Sequence, residues 1–358
     1  MVAWGRGALM HLFLFWASLG CQQVPERSLS VRLAGVGGSS ASVLLAGAEG
    51  ERQGESWLFS AVAPGEHEIR YRASPCPSAT LSYGLDPGEG PAQLRIDPSC
   101  AVDDQGLAMR WIPAGSFDMG SDGEDSLRDP DEGPVPVVLS QPYLIAETEV
   151  TQGFYETVMG FNPSERDLNN CSKVGNLSGP APSEPAYCLD WYESLEFANA
   201  LSRLRNLEEC YEILLRSAHW KRSCNGYRLA TEAEWEHAAR GGESYPFAGS
   251  ANLGDVAWTE ENSGGRSHPV ASKAPNAYGL HDMSGNVWEW VWDAYGDYAA
   301  ATDPAGADKG SYRIMRGGCW AKGETKARVA DRSNFVPFYR MDVTGLRLVR
   351  SVGPDASE

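Results

Sequence analysis

A chain of 358 residues, 42% of them hydrophobic, is long enough for two domains with packed cores. Its 48 acidic and 30 basic side chains leave a net charge of −18, a surface that repels phosphate backbones and anionic membranes, so nucleic-acid and membrane-surface binding are set aside. With 39 glycines, 22 prolines and 12 tryptophans, tight turns are frequent and aromatic packing must order the loops between them.

At the N-terminus Arg6 precedes an apolar run from Ala8 to Ala17, followed by small residues and Cys21. The run is too short for a permanent membrane helix and has the form of an export signal. The ending SLGC (18–21) resembles a bacterial lipoprotein cleavage box. Gly20 stands before Cys21, which would carry lipid, although Ser18 and Leu19 invert the usual order. Residues 1–21 are therefore read as a signal peptide and 22–29 as a tether. The mature protein is expected in the cell envelope, lipid-anchored at the outer membrane or in the periplasm, or secreted. The anchor is the only membrane contact expected.

Residues 30–102 alternate apolar and polar in runs such as SVRLAGV, SWLFSAV and HEIRYRA, separated by Gly and Pro clusters. This pattern predicts a small antiparallel β-sandwich domain, without any catalytic grouping. The stretch VDDQGL (102–107) reads as a linker. Export permits disulfides. Local order suggests Cys76–Cys100, Cys171–Cys188 and Cys210–Cys224, each closing a short loop worth about 3 kcal/mol. Sequence alone leaves connectivity open. Cys319 is left over. It is expected to be a small buried residue, with an unrecognised disulfide or a thiol activated by Lys322 and Lys326 as alternatives.

The second domain, 108–351, shows three helices. One runs from Thr151 to Met159. A second, from Asp190 to Arg205, carries Trp191, Leu195, Ala198, Leu201 and Leu204 at helical spacing. A third, from Thr231 to Arg240, opens on TEAE, in which Thr231 caps and Glu234 reaches back. Short strands and long Gly- and Trp-rich loops fill the rest, and residues 352–358 form a tail. So little regular structure asks for disulfides or bound metal.

Seven blocks of this domain form one pattern: MRWIPAGSFDMGS (109–121), YLIAETEVTQGFYETVMGFNPS (143–164), LDWYESLEFANALS (189–202), GYRLATEAEWEHAARGG (226–242), PNAYGLHDMSGNVWEWVWD (275–293), RIMRGGCW (313–320) and GLRLVR (345–350). In order and spacing they resemble the formylglycine-generating enzyme family, or sulfatase-modifying factor domains. The resemblance implies an α+β, C-type-lectin-like fold with little regular secondary structure. Catalytic members of that family oxidise a cysteine in a sulfatase peptide, using copper held by two cysteines three and eight residues beyond a serine. Here the serine position is Cys319 and the thiolate positions are Lys322 and Ala327. Copper(I) needs soft ligands, which neither side chain supplies. Iron is disfavoured too, because His67, His219, His237, His268 and His281 lie in different blocks with no paired spacing.

Calcium is the cofactor the resemblance leaves. Asn286, the Val287 carbonyl and Glu289 in SGNVWEW match a family calcium site and offer the oxygen ligands a hard cation takes. The alternative is that Asn286 shapes the turn and Glu289 pairs with a buried arginine such as Arg316. A second family calcium site begins at Asn252-Leu253, but its partner loop is shortened. The resemblance also places Trp290, Cys319 and Trp320 along a ligand cleft. Arg316, Arg328, Arg332 and Arg347 are expected to form buried bidentate pairs with acids such as Glu149 and Glu232. The resulting expectation is a non-catalytic, calcium-stabilised module displaying a surface for a peptide, protein or glycan, in an oligomeric state the sequence leaves open. The alternatives are an oxidoreductase of the same family with altered metal chemistry, and a structural envelope protein.

Overall fold

The computed structural model describes residues 107–351, apart from 122–124, 167–170, 173, 177–180, 216 and 307–309, and the backbone of the strands between residues 27 and 104. Helices α1 (Gln152–Met159), α2 (Trp191–Leu204), α3 (Glu232–Arg240) and the single turn α4 (Leu253–Val256) are joined by long loops and short strands. The α+β expectation holds.

Caps set each helix start. Thr151 accepts from the Phe154 N–H ahead of α1. Asp190 with Glu193, and Thr231 with Glu234, close reciprocal capping boxes at α2 and α3. Gly160 and Gly241 end α1 and α3 in the left-handed conformation that glycine adopts without strain.

The largest sheet runs through Tyr227–Leu229, Leu348–Ser351, Tyr143–Ala146, Leu107–Ile112, Ala101–Asp104, Ala92–Ile96, Arg27–Leu33, Ser56–Val62 and Glu51–Gln53. The described ends of the segment expected as a linker, 102–107, are instead paired strands: Leu107 stands opposite Asp104 and Met109 opposite Val102. A second sheet in the N-terminal region joins Ala48–Glu49, Ser42–Leu45, Gly65–Ala73 and Cys76–Leu85.

A four-stranded sheet carries the sequence blocks of interest. Trp288–Ala294 lies between Arg313–Arg316, antiparallel, and Thr344–Leu346, parallel; Ser333–Phe335 flanks it. A hairpin of Gly115–Met119 and Val135–Leu139 carries the short parallel strand Ala301–Thr302 on its edge. Apolar residues pack as two large buried clusters, one around Trp191, Phe197, Trp290 and Leu346, the other around Trp235, Val291 and Ile314.

Disulfides join Cys171 to Cys188 and Cys210 to Cys224. The pairing suggested for Cys76 and Cys100 lies outside the described residues, as does Cys21. Thr231→Ala removes the acceptor at the start of α3 and should lower stability by about 1 kcal/mol in urea-unfolding measurements. Thr231→Ser, which keeps that acceptor, should stay within about 0.5 kcal/mol of the parent.

Candidate functional site

Cys319 is fully buried in the cluster that holds Trp288, Trp290 and Trp320. It is free, and burial pushes its thiol up to about 12. A nucleophilic or metal-binding cysteine needs the opposite shift. Lys322 is exposed and touches this residue through its backbone, its N–H donating to the Cys319 carbonyl at 3.0 Å. Ala327 is buried with Phe247, Val256 and Ala257. The positions that the sequence resemblance assigns to metal thiolates therefore hold a solvent-facing ammonium and a packed methyl group.

The expected ligand cleft is not open here. Trp290 is 1% exposed and Trp320 4%. Their indole N–H groups donate inward, to the carbonyls of Leu189 at 3.1 Å and Asp342 at 3.4 Å. With Cys319 they form core, because each side chain has protein atoms as its polar partner or its apolar surroundings.

The SGN turn is built by close approach. Gly285, at φ 83°, lies so near Trp258 that a Cβ would come 2.3 Å from that carbonyl oxygen. Asn286 adopts φ 59° and commits its amide to one neighbour: Oδ1 accepts from the His268 N–H at 3.0 Å and Nδ2 donates to the His268 carbonyl at 3.2 Å. Its amide thus shapes the turn, as the alternative reading had it. Glu289 is buried and accepts from Arg347 Nε and Nη2 at 2.7–3.0 Å and from the Trp235 indole at 2.6 Å. Its arginine partner is Arg347, not Arg316. Arg316 is Glu289's cross-strand neighbour, but its guanidinium turns to Glu236.

The other arginines find acids far away in sequence. Arg328 is bidentate on Glu132 at 2.8 and 2.7 Å, and Arg332 on Glu232 at 2.8 and 2.9 Å. Glu149, expected to be one of these partners, is not. It is 1% exposed, and both carboxylate oxygens lack a hydrogen-bond partner. Asp282, 2% exposed, leaves Oδ1 unpartnered, while Oδ2 accepts from the Ala271 N–H at 2.7 Å. Burial, then the charge of Asp282, holds the Glu149 carboxyl well above its usual range, with Arg347 opposing and Glu289 adding to the shift. Burial raises Asp282 as well. A buried acid without a donor is costly, and it fits a hard cation that accepts carboxylate oxygen. Sequence reading cast Glu149 as an arginine partner and passed over Asp282. Asp282 sits in the block HDMSGN and Glu149 in ETEVT, so their positions were visible, but not their lack of partners.

Two further sequence expectations resolve locally. Asn252 caps α4 and bonds Asp255, so the place of the second calcium site holds a helix cap. His281 and His268 use ring nitrogens on the carbonyls of Lys273 and Ser263, at 2.8 Å each, and do not converge on a shared point. Among the described residues, Asp129, Glu132 and Asp331 bring carboxylate oxygens within 4.8 Å of one another, close enough to share a cation. There the Lys326 ammonium bonds Asp129 at 2.8 Å and Asp331 at 2.9 Å, and Arg328 holds Glu132. That cluster already has its own positive charges.

The family profile described as a sulfatase-modifying factor enzyme 1-like domain matches residues 98–352. The chain belongs to that family. Its sulfatase-modifying factor domain is 31% identical over 250 residues to the chaperone protein LppX of Paenibacillus barcinonensis, covering 60% of this chain and 82% of the relative. It is 27% identical over 278 residues to a formylglycine-generating enzyme of Thermomonospora curvata, covering 67% and 92%. The inactive C-alpha-formylglycine-generating enzyme 2 of Mus musculus is 32% identical over 285 residues, covering 70% and 87%. Among solved structures, Treponema denticola variable protein 1 superposes with a TM-score of 0.60 at 35% identity, covering 68% of this chain and 95% of that one.

Cys319 should resist iodoacetamide at pH 8 in the native sulfatase-modifying factor domain and label fully once the chain is unfolded, as read by peptide mass spectrometry. Glu289→Gln leaves Arg347 as a buried charge without a counter-charge and should cost about 3 kcal/mol in chemical unfolding.

Proposed function

We propose that this protein is an exported, lipid-anchored envelope component whose sulfatase-modifying factor domain binds or displays a ligand without catalysing oxidation. In this reading residues 1–21 direct export, Cys21 carries the lipid, 22–29 form the tether, 30–102 form a β-sandwich spacer, and 108–351 form the module. The observation that carries the non-catalytic reading is the state of Cys319, Lys322 and Ala327: no thiolate pair stands where soft-metal chemistry would need one. The likeness to an inactive mammalian family member supports the same reading.

Calcium is the proposed structural cofactor. Glu149 and Asp282 would hold it, with the Val287 carbonyl as a further oxygen ligand, while Asn286 stays with His268 and Glu289 with Arg347. The ion would supply positive charge to carboxyls whose charged form burial disfavours. The protein's own residues do the rest: Arg347 ties Glu289 to the Ala146 and His281 carbonyls at 2.9 and 2.8 Å, so the segments that bear the acids are already drawn together. Neutralising those acids would fix the SGN turn against the ETEVT segment and stiffen the loops that display the ligand.

The purified exported protein should contain calcium by mass spectrometry, and calcium at about a hundred times its Kd should add about 2.7 kcal/mol of stability. Glu149→Gln with Asp282→Asn should abolish that gain. Tight copper or iron, with oxygen consumed on a cysteine peptide, would overturn the non-catalytic reading. The pH dependence has a definite sign. Carboxyls whose folded values are raised bind more protons in the native state than in the unfolded one. Stability of the calcium-free protein therefore falls as pH rises above the ordinary carboxylate range toward those raised values. Calcium should flatten this fall above the ordinary carboxylate range, as should the double variant.

A further inference from the structure

The loop after Trp288–Ala294 roofs a cavity of about 300 Å³, at the lower end of the size of small-molecule sites. Its walls are apolar: Met119, Val135 and Val137 come from the hairpin, Ala233 from the first turn of α3, and Ala301 and Ala305 from the roof. Three carboxyl groups, those of Glu232, Asp293 and Asp297, and the Arg332 guanidinium interrupt them. Asp293 is 3% exposed and accepts from the Glu232 backbone N–H at 2.8 Å, and among the described residues no cation pairs with it. Gly306, at φ 72°, lets the roof close down on this acid, since a Cβ there would come 2.8 Å from Asp293 Oδ1.

The charges around Asp293 decide what the cavity accepts. From α3, Glu232 is chelated by Arg332 and Glu234 by Arg228. From the adjacent strand, Arg313 stacks on Trp191 and donates to the Trp292 carbonyl. On the roof, Asp297 is exposed and lines the cavity. The Arg332 guanidinium is spent on Glu232 and on the carbonyls of Asp131 and Gly296. An anion entering here would meet Asp297 and find no free guanidinium to hold it. A cation would meet Asp293 and Asp297, two acids to which, among the described residues, no arginine or lysine is bonded. Burial, then the charge of Glu232, pushes the Asp293 carboxyl up to about 8. An arriving cation would reverse that cost and displace its proton to solvent.

We infer that this cavity is a binding site for a small alkylammonium ligand, its charged head against Asp293 and its aliphatic chain along Met119, Val135 and Val137. The site is separate from the Glu149–Asp282 acids and stands or falls independently of calcium.

Titration calorimetry on the full mature chain at pH 7 tests this, with n-butylamine, n-hexylamine and n-hexanoate as probes. Hexylammonium should bind more tightly than butylammonium, and hexanoate should not bind. The enthalpy should differ between phosphate and HEPES buffers, because a proton leaves Asp293 on binding. Asp293→Asn keeps an acceptor for the Glu232 N–H, so its melting midpoint should hold while amine affinity drops by about tenfold or more. If Asp293→Asn unfolds, the buffer dependence of the parent and the loss of binding in Ala305→Leu, which fills the cavity, decide the question. Absence of amine binding, preference for hexanoate, or equal amine affinity in folded Asp293→Asn would overturn the inference.

Discussion

Four buried arginines hold this fold where regular secondary structure does not. Arg316, Arg328, Arg332 and Arg347 are each at most 6% exposed, and each guanidinium meets a carboxylate from a distant part of the chain. Arg347 also draws in the carbonyls of Ala146 and His281, and Arg316 those of Val329, Ala330 and Asp331. Loops cannot satisfy their backbone carbonyls through a ladder, so guanidinium groups do it for them. The cost is specificity of partner: each pair is worth having only while both members are present, because either one alone is a buried charge.

That dependence explains what could be read from the sequence. Helix starts are local events, and TEAE or the Thr before the first helix announces them within four residues. The seven blocks announced the family, and with it the fold. Salt-bridge partners are not local. Arg328 and Glu132 lie 196 residues apart, and Arg332 and Glu232 lie 100 apart. Sequence could say that each arginine needs an acid, but only the packed sheet says which one. The same limit hid Glu149, which looks in sequence like any other candidate partner and in the structure is the acid left over.

The pairing of Ala101–Asp104 with Leu107–Ile112 was hidden for a different reason. VDDQGL has the polar, glycine-containing composition of a linker, and also that of a turn between two antiparallel strands. Composition does not separate the two. Pairing does, and here Ala101–Asp104 continues the sheet that Leu107–Ile112 belongs to. Likewise, tryptophans in a family block suggest a cleft by resemblance, whereas Trp290 and Trp320 have indole donors that reach only protein carbonyls and are therefore core.

The residues at 322 and 327 and the buried acids follow separate physical logics. Replacing a soft ligand by alanine leaves a residue the core can absorb, and Ala327 is packed with Phe247 and Val256 at no evident strain. Exchanging Glu289 would be another matter, since Arg347 and the Trp235 indole both depend on it. Position 327 can therefore change without disturbing the charged skeleton, whereas position 289 cannot. The acids outside that skeleton are then the informative ones. Glu149, Asp282 and Asp293 are buried carboxyls with no arginine bonded to them, and burial is the first cause that raises each. Other buried acids without a bonded arginine have partners of a different kind: Asp342 accepts from the N–H groups of Val174, Gly175 and Asn176, and Asp331 bonds the Lys326 ammonium.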